Sequence, residues 1–278
     1  MSFTKTFIDI INHINEQGNE SQPRDLKVRE VLLADFQVDP NFPIADFPDR
    51  KFNWKYLAGE LAWYLHRDSN IDYISDYSKF WGGLTNPNTN EVNSNYGNLV
   101  INDEQFSWVI ESLKRDPNSR QAIMFFNQPK FQFEGNKDFV CTMYSNFFIR
   151  NNALMMKVQM RSNDIFYGLT FDAPFFSFLL QSVYQILLKD MPELKLGYYF
   201  HYADNLHFYE RHFELAESMA KHVPEKDYSL TLKKPFIEYN NGAINLSDAA
   251  LEFVSRIDSA KGSDDVDYKS ILADYFTI

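Results

Sequence analysis

The stretch FVCTMYSNFFIRNNALMMKVQMRSND, residues 139–164, reads as two strands, Phe139–Arg150 and Ala153–Arg161, joined at Asn151-Asn152 in a hairpin signature. Outward from this hairpin, helical and strand-like runs follow in no regular order. Phe7, Ile10, Ile11 and Ile14 recur at helical spacing over Phe3–Asn15, and Gly18 ends that helix. Val28–Val38 reads as a strand. Phe52–Arg67 reads as a helix whose apolar stripe is Phe52, Tyr56, Leu57, Leu61, Tyr64 and Leu65. The Asn-rich run 85–97 reads as loop. Asn102-Asp103-Glu104-Gln105 offers a capping box for a helix ending near Arg115, with a short strand at 121–126 after it. Asp172 opens an apolar helix to about Lys189, and Gly197–Ala203 reads as strand. A helix is expected over Leu206–His222 with Pro224 beyond it, a strand over Ser229–Tyr239, and a capped helix over Ser247–Ile257. A polar stretch, 258–270, precedes the apolar end 271–278. No repeat, linker or low-complexity run divides the chain. The spacing therefore predicts one α+β domain over residues 1–278 rather than a doubly wound sheet.

Composition narrows the function. With 278 residues, 45% hydrophobic and 17% aromatic, the chain can bury a large core. Its formal charge of -11 argues against a stable nucleic-acid partner, because duplex binders carry a basic footprint. The N-terminal run Phe3–Ile14 is apolar on one face only and carries Lys5 and Asp9, so it does not read as a signal peptide. No run approaches 18 uncharged apolar residues, so no membrane span is expected. No glycine pattern for a dinucleotide or ATP phosphate loop is present, nor is an HExxH pair. One cysteine, Cys141, can form neither an internal disulfide nor a thiolate zinc site, and no metal is expected. A lone cysteine fits a reducing cytoplasm. It is either a small buried hydrophobe or a nucleophile.

The surroundings of Cys141 favour the nucleophile. A thiolate is both a strong nucleophile and a tolerable leaving group. A free thiol titrates near pH 8.5, so it needs a cation beside it, and Arg161 ends the next expected strand. Guanidinium groups also bind phosphate in forked geometry. Glu60 stands in an otherwise apolar helical run, where a buried carboxyl is costly unless hydrogen-bonded or protonated; an exposed helix face is the alternative.

Seven stretches keep one order along residues 20–215. They are Glu60-Leu61-Ala62-Trp63-Tyr64-Leu65, Asn93-Ser94-Asn95-Tyr96-Gly97, Asp116-Pro117-Asn118-Ser119-Arg120, the segment around Cys141, Arg161-Ser162-Asn163-Asp164, Gly168-Leu169-Thr170-Phe171-Asp172 and Leu206-His207-Phe208-Tyr209. Together they resemble the thymidylate synthase family, and within it most of all the deoxycytidylate hydroxymethylases of the T-even phage kind. The resemblance implies a large mixed sheet with surrounding helices and an obligate homodimer in which each site borrows arginine from its partner. It also implies 5,10-methylenetetrahydrofolate as co-substrate, and cytoplasmic work, by the nearest likeness in a phage-infected bacterium.

The resemblance assigns roles residue by residue. Cys141 is the nucleophile. Glu60 organises water and moves protons, and Tyr96 assists proton removal from carbon 5. Asp164 holds the pterin and neighbouring water, Trp81 lines the folate side, and Ile278 ends an apolar tail that closes the site in the methyl-forming enzymes. Arg161 and Ser162 bind phosphate with Arg24, for which Arg29 competes, and with Arg120 given across the dimer. His207 and Tyr209 hold the sugar 3′-hydroxyl. Asp172 stands where the uridylate enzymes carry Asn and points to a cytosine, whose amino group and protonated N3 are both donors. An Asp at a helix start is also an ordinary N-cap. The chain departs from the synthases at Gln121, Leu84 and Thr142, where they carry arginine, tryptophan and histidine. Pro23 and Asp25 also depart from the family's usual loop. The implied reaction is hydroxymethyl transfer to carbon 5 of dCMP. Methyl transfer to dCMP, action on dUMP, and a non-catalytic nucleotide- or RNA-binding relic are the alternatives.

Overall fold

In the computed structural model, residues 3–222, 228–263 and 265–278 are described. In chain order the elements are α1 (Phe3–Gln17), β1 (Asn19–Ser21), β2 (Val28–Val38), α2 (Trp54–His66), α3 (Tyr96–Val100), α4 (Gln105–Arg115), β3 (Ile123–Phe125), β4 (Thr142–Arg150), β5 (Ala153–Met160), β6 (Asn163–Asp164), α5 (Thr170–Leu187), β7 (Lys195–Tyr209), α6 (Phe213–Met219), β8 (Thr231–Leu232), β9 (Ile237–Asn240), β10 (Ala243–Leu246), α7 (Asp248–Ala260), α8 (Tyr268–Tyr275) and β11 (Phe276–Thr277).

The expected hairpin is the centre of the sheet. β4 and β5 pair antiparallel, with both Asn151 and Asn152 in the left-handed region that Asn tolerates. The sheet runs β1-β2-β7-β5-β4-β3, with β6 on β7. β7 is parallel to β5 and β6, and antiparallel to β2, so the sheet is mixed. Alternate residues of β5, Leu154, Met156, Val158 and Met160, are fully buried. The same core holds Phe176, Leu179, Leu180 and Val183 of the apolar helix α5. This is a single α+β domain with a large mixed sheet and surrounding helices.

Four local expectations are corrected. Leu206–Tyr209 does not open a helix: β7 continues through Tyr209, which pairs with Val28, and the next α-helix begins only at Phe213. That helix ends at Met219 rather than His222, and Pro224 lies outside the described residues. The single strand expected over Ser229–Tyr239 is broken around Pro235 into β8 and β9, which join different two-stranded sheets. Tyr96 and Gly97, read as loop, start α3. The capping box before α4 is one-sided: Asn102 Oδ1 accepts from the Glu104 and Gln105 N–H groups, while the Gln105 side chain donates to Leu99 and Phe125 carbonyls.

Candidate functional site

The loop before β4 and the loop after β5 meet at Cys141 and Arg161. The Arg161 N–H donates to the Cys141 carbonyl at 2.9 Å. Its guanidinium turns back: Nε donates to the Val140 carbonyl at 3.2 Å, Nη2 to the Phe139 carbonyl, and Nη2 lies 3.4 Å from Cys141 Sγ. Burial pushes the thiol above its ordinary value; Arg161 and then Arg24 oppose this, while Asp172 and Asp138 add to it. Arg161 thus acts in the expected direction, but burial outweighs it.

Residue Thr142, the first of β4, is fully buried and donates from Oγ1 to Tyr96 OH at 2.8 Å. The Asn93–Gly97 stretch that brings Tyr96 here is tightly built. Asp138 Oδ2 accepts from the N–H groups of Asn93 (2.6 Å) and Ser94 (2.7 Å). Asn95 caps α3 and donates to the Trp63 and Asp68 carbonyls. Gly97 is required because a Cβ there would lie 1.7 Å from the Tyr64 carbonyl oxygen.

Helix α2 carries Glu60 into the interior with only 6% exposure, which rules out the exposed-face alternative. Tyr56 OH donates to Glu60 Oε1 at 2.7 Å, and Trp81 Nε1 donates to Tyr56 OH at 3.1 Å. Tyr64, one turn further on, also hydrogen-bonds Glu60. Burial pushes Glu60 up to about 8, with Asp172 adding to it and the two tyrosine hydrogen bonds opposing. At neutral pH Glu60 therefore holds a proton it can give up.

Asp172 is the third residue of α5, not its cap. An irregular turn over Ile165–Leu169 precedes the helix, and its capping residue is Asp164, whose Oδ1 accepts from the Phe166 (2.6 Å) and Tyr167 (2.7 Å) N–H groups. Asn163 Nδ2 donates to Asp172 Oδ2 at 2.7 Å. Gly168 allows this approach: a Cβ there would sit 2.6 Å from Asn163 Nδ2 and 3.0 Å from Asp172 Oδ2. Burial pushes Asp172 up to about 6, Asn163 opposing. Burial likewise pushes Asp164 up to about 6. Asp164 Oδ2 and Asn163 Oδ1 are buried with no hydrogen-bond partner.

His207 and Tyr209 project from the end of β7 with ring centroids 5.4 Å apart, edge to face. His207 is buried, and that burial pushes its imidazole down to about 4. Arg24, exposed and with φ 52° in the left-handed region, lowers Cys141, His207 and Tyr209 by its charge. Arg29, its rival, is engaged elsewhere: it donates to Asn15 Oδ1 at 2.8 Å and covers the Phe213 ring. Ser162 is half-buried between Arg161 and Asn163. Trp81 is buried against the Trp63 ring. Two assigned residues are not drawn into this cluster. Arg120 lies exposed on an open groove with Trp108, Gln121, Ile123 and Phe125. Ile278 follows β11, which pairs with β8, and is half-buried against the core.

The cluster therefore joins the Cys141 thiol, the Arg161 guanidinium and the carboxyls of Glu60, Asp164 and Asp172. The thymidylate synthase family model matches residues 5–252. The chain belongs to the thymidylate synthase family. It is 30% identical over 217 residues to a deoxycytidylate 5-hydroxymethyltransferase of Enterobacteria phage T6, covering 73% of this chain and 86% of that one. It is 28% identical over 225 residues to a deoxyuridylate hydroxymethyltransferase of Bacillus phage SP01, covering 74% and 57%. It is 26% identical over 245 residues to a thymidylate synthase of Mycoplasma genitalium, covering 76% and 83%. Membership in the thymidylate synthase family carries folate-dependent one-carbon transfer to a pyrimidine nucleotide. No helix among the described residues is long and apolar enough to cross a membrane.

Sequence reasoning missed several members of this thymidylate synthase site. Tyr56 and Tyr64 were counted as apolar stripe, yet their placement four residues either side of Glu60 puts both on its helix face. Asn163 stood inside a quoted stretch without a role. Glu30 gave no local signal, because only strand pairing brings it to His207, and Asn205, two residues before His207, shares its face only because this stretch is strand.

Proposed function

We propose that the protein transfers a one-carbon unit to carbon 5 of dCMP and hydrates it, so that dCMP, 5,10-methylenetetrahydrofolate and water give 5-hydroxymethyl-dCMP and tetrahydrofolate. Asp172 carries this reading. It is a half-buried carboxyl with no capping duty, and Asn163 fixes the direction of one of its oxygens. A cytosine amino group donates to such a carboxyl, and one proton shared between the carboxyl and ring N3 completes the pair. A uracil would turn its carbonyl oxygen toward the same charge. Relatives named as deoxycytidylate 5-hydroxymethyltransferases support the choice.

In this reading Cys141 Sγ bonds to carbon 6, held and partly charged by Arg161. Arg161, Ser162 and Arg24 receive the phosphate. Tyr96, hydrogen-bonded to Thr142, assists removal of the proton from carbon 5. Glu60 supplies and recovers protons at the ring, and its Tyr56 and Tyr64 partners fix its orientation. Breaking the sulfur–carbon bond then restores the aromatic ring and the free thiol. When bound, the folate supplies the one-carbon unit. Asp164 Oδ2, a buried acceptor lacking a donor, fits the N–H groups of a pterin, and Trp81 and Ile278 are the proposed remaining contacts. Thr142, in place of the synthases' histidine, favours hydration over methyl formation.

A homodimer belongs to the same proposal. β2 exposes Leu32 and Leu33 by 66% and 80%, and Met155, Lys157 and Gln159 of β5 are only half-buried. A second copy on this sheet face would bury that surface, and the exposed Arg120 would serve the partner's site. Release of tritium from carbon 5 of labelled dCMP, set against labelled dUMP, tests the substrate. Faster release from dCMP is expected; release from dUMP alone would make the protein a uridylate enzyme.

A further inference from the structure

Glu30 lies directly across from His207 in the antiparallel pairing of β2 with β7, and Asn205 stands two residues before His207 on the same face of β7. The three side chains form a line. Asn205 Nδ2 donates to Glu30 Oε2 at 2.6 Å, and Asn205 Oδ1 lies 2.8 Å from His207 Nδ1. A carboxylate can only accept, so the Asn205 atom facing Glu30 is its amino group. The amide carbonyl then faces His207, and Nδ1 must carry the ring proton. Burial keeps this imidazole neutral at pH 7, so one nitrogen only is protonated.

We propose that Glu30 is a positioning residue which, through Asn205, fixes the proton of His207 on Nδ1 and leaves Nε2 as an acceptor that selects a free 3′-hydroxyl on the nucleotide sugar. The inference rests on the nucleotide reading above for its ligand, but the tautomer itself does not depend on any ligand. An Nε2 acceptor takes a hydrogen bond from a hydroxyl and repels a 3′-phosphate. The flipped amide would leave a donor at Nε2 and lose that discrimination.

Protein labelled with 15N in its histidine rings tests this by long-range NMR, with His207→Gln to assign the signal. The free wild type is expected to show His207 protonated at Nδ1. Glu30→Gln releases the amide, because its new side chain can donate or accept, and a mixture of tautomers is expected. The double variant Glu30→Gln/Asn205→Asp reverses the first hydrogen bond and keeps the second: the new amide donates to the new carboxylate, which accepts from Nδ1–H. It should restore the wild-type tautomer, which a merely structural role for Glu30 would not require. Calorimetry with dCMP and 2′-deoxycytidine 3′,5′-bisphosphate gives the functional counterpart. Wild type should prefer dCMP by about tenfold, the worth of one hydrogen bond. Glu30→Gln should lose most of that preference, and the double variant should regain it. A wild-type His207 protonated at Nε2, or a Glu30→Gln protein with unchanged tautomer and unchanged preference, would overturn the proposal. Failure of wild type to bind dCMP would remove the 3′-hydroxyl role along with the reading it rests on, and it would be seen separately from the NMR result.

Discussion

Arg161 holds Cys141 from two directions: its main-chain N–H donates to the Cys141 carbonyl at 2.9 Å, and its guanidinium Nη2 comes within 3.4 Å of Sγ. One residue thus fixes where the sulfur is and how readily it ionises. Burial still holds the thiol above its ordinary value, so Arg161 limits a cost rather than creating a standing thiolate. Replacing Arg161 by Gln should raise the thiol further and slow iodoacetamide alkylation of Cys141 at pH 7 by about tenfold. The pH–rate profile of alkylation should move to higher pH; an unmoved profile would show that the guanidinium does not act on the sulfur.

Glu60 contributes instability in its charged form. Its ordinary value is 4.5 and burial raises it to about 8, so the folded protein binds this proton more tightly than the unfolded chain does. Stability from this group is complete below about pH 4.5 and is lost as pH rises toward 8. Glu60→Gln should therefore melt about 5 °C higher than wild type at pH 8.5, with the gain shrinking to nothing near pH 4.5. Turnover should fall by about a thousandfold at the same time. A variant no more stable than wild type at pH 8.5 would mean that Glu60 is not buried as a carboxyl.

Asp172→Asn should lower kcat/KM for dCMP and raise it for dUMP, changing the ratio by about 10²–10³. Wild-type preference should also depend on pH. Above about 6 Asp172 is ionised and faces the uracil carbonyl with charge; below it, the protonated carboxyl can donate to that oxygen. The dCMP-to-dUMP ratio should narrow between pH 8 and pH 5 in wild type and stay flat in Asp172→Asn. A ratio indifferent to both the substitution and pH would remove Asp172 from base recognition.

Arg120 gives a test of the dimer. Cys141→Ser and Arg120→Ala should each be nearly inactive alone. Mixed and allowed to exchange subunits, they should recover activity, because the dimer then contains one site with both the thiol and the borrowed arginine. No recovery after verified exchange would place Arg120 outside the partner's site.

Much of the architecture was legible locally. α1, β2, α2 and the β4–β5 hairpin lie within a few residues of their expected bounds, because each is set by periodicity or by a turn such as Asn151-Asn152. The failures are long-range. Leu206–Tyr209 is strand because β2 pairs with it, which no window around residue 206 contains. Asn93–Gly97 looked like loop by composition, but Asp138, more than forty residues on, orders it. At the site, Cys141, Arg161 and Glu60 were visible because each residue type is costly or rare in its setting. Asp172 was ambiguous between cap and ligand until the Asp164-capped turn before α5 removed the capping option. Tyr56 and Tyr64 were hidden by being aromatic in an apolar stripe.

The most direct measurement is the mass of the nucleotide formed when the protein is incubated with dCMP and 5,10-methylenetetrahydrofolate. The expected product is dCMP enlarged by a hydroxymethyl group, with tetrahydrofolate released and no rise in dihydrofolate absorbance. Methylated dCMP with dihydrofolate, or unchanged dCMP beside converted dUMP, would contradict the account.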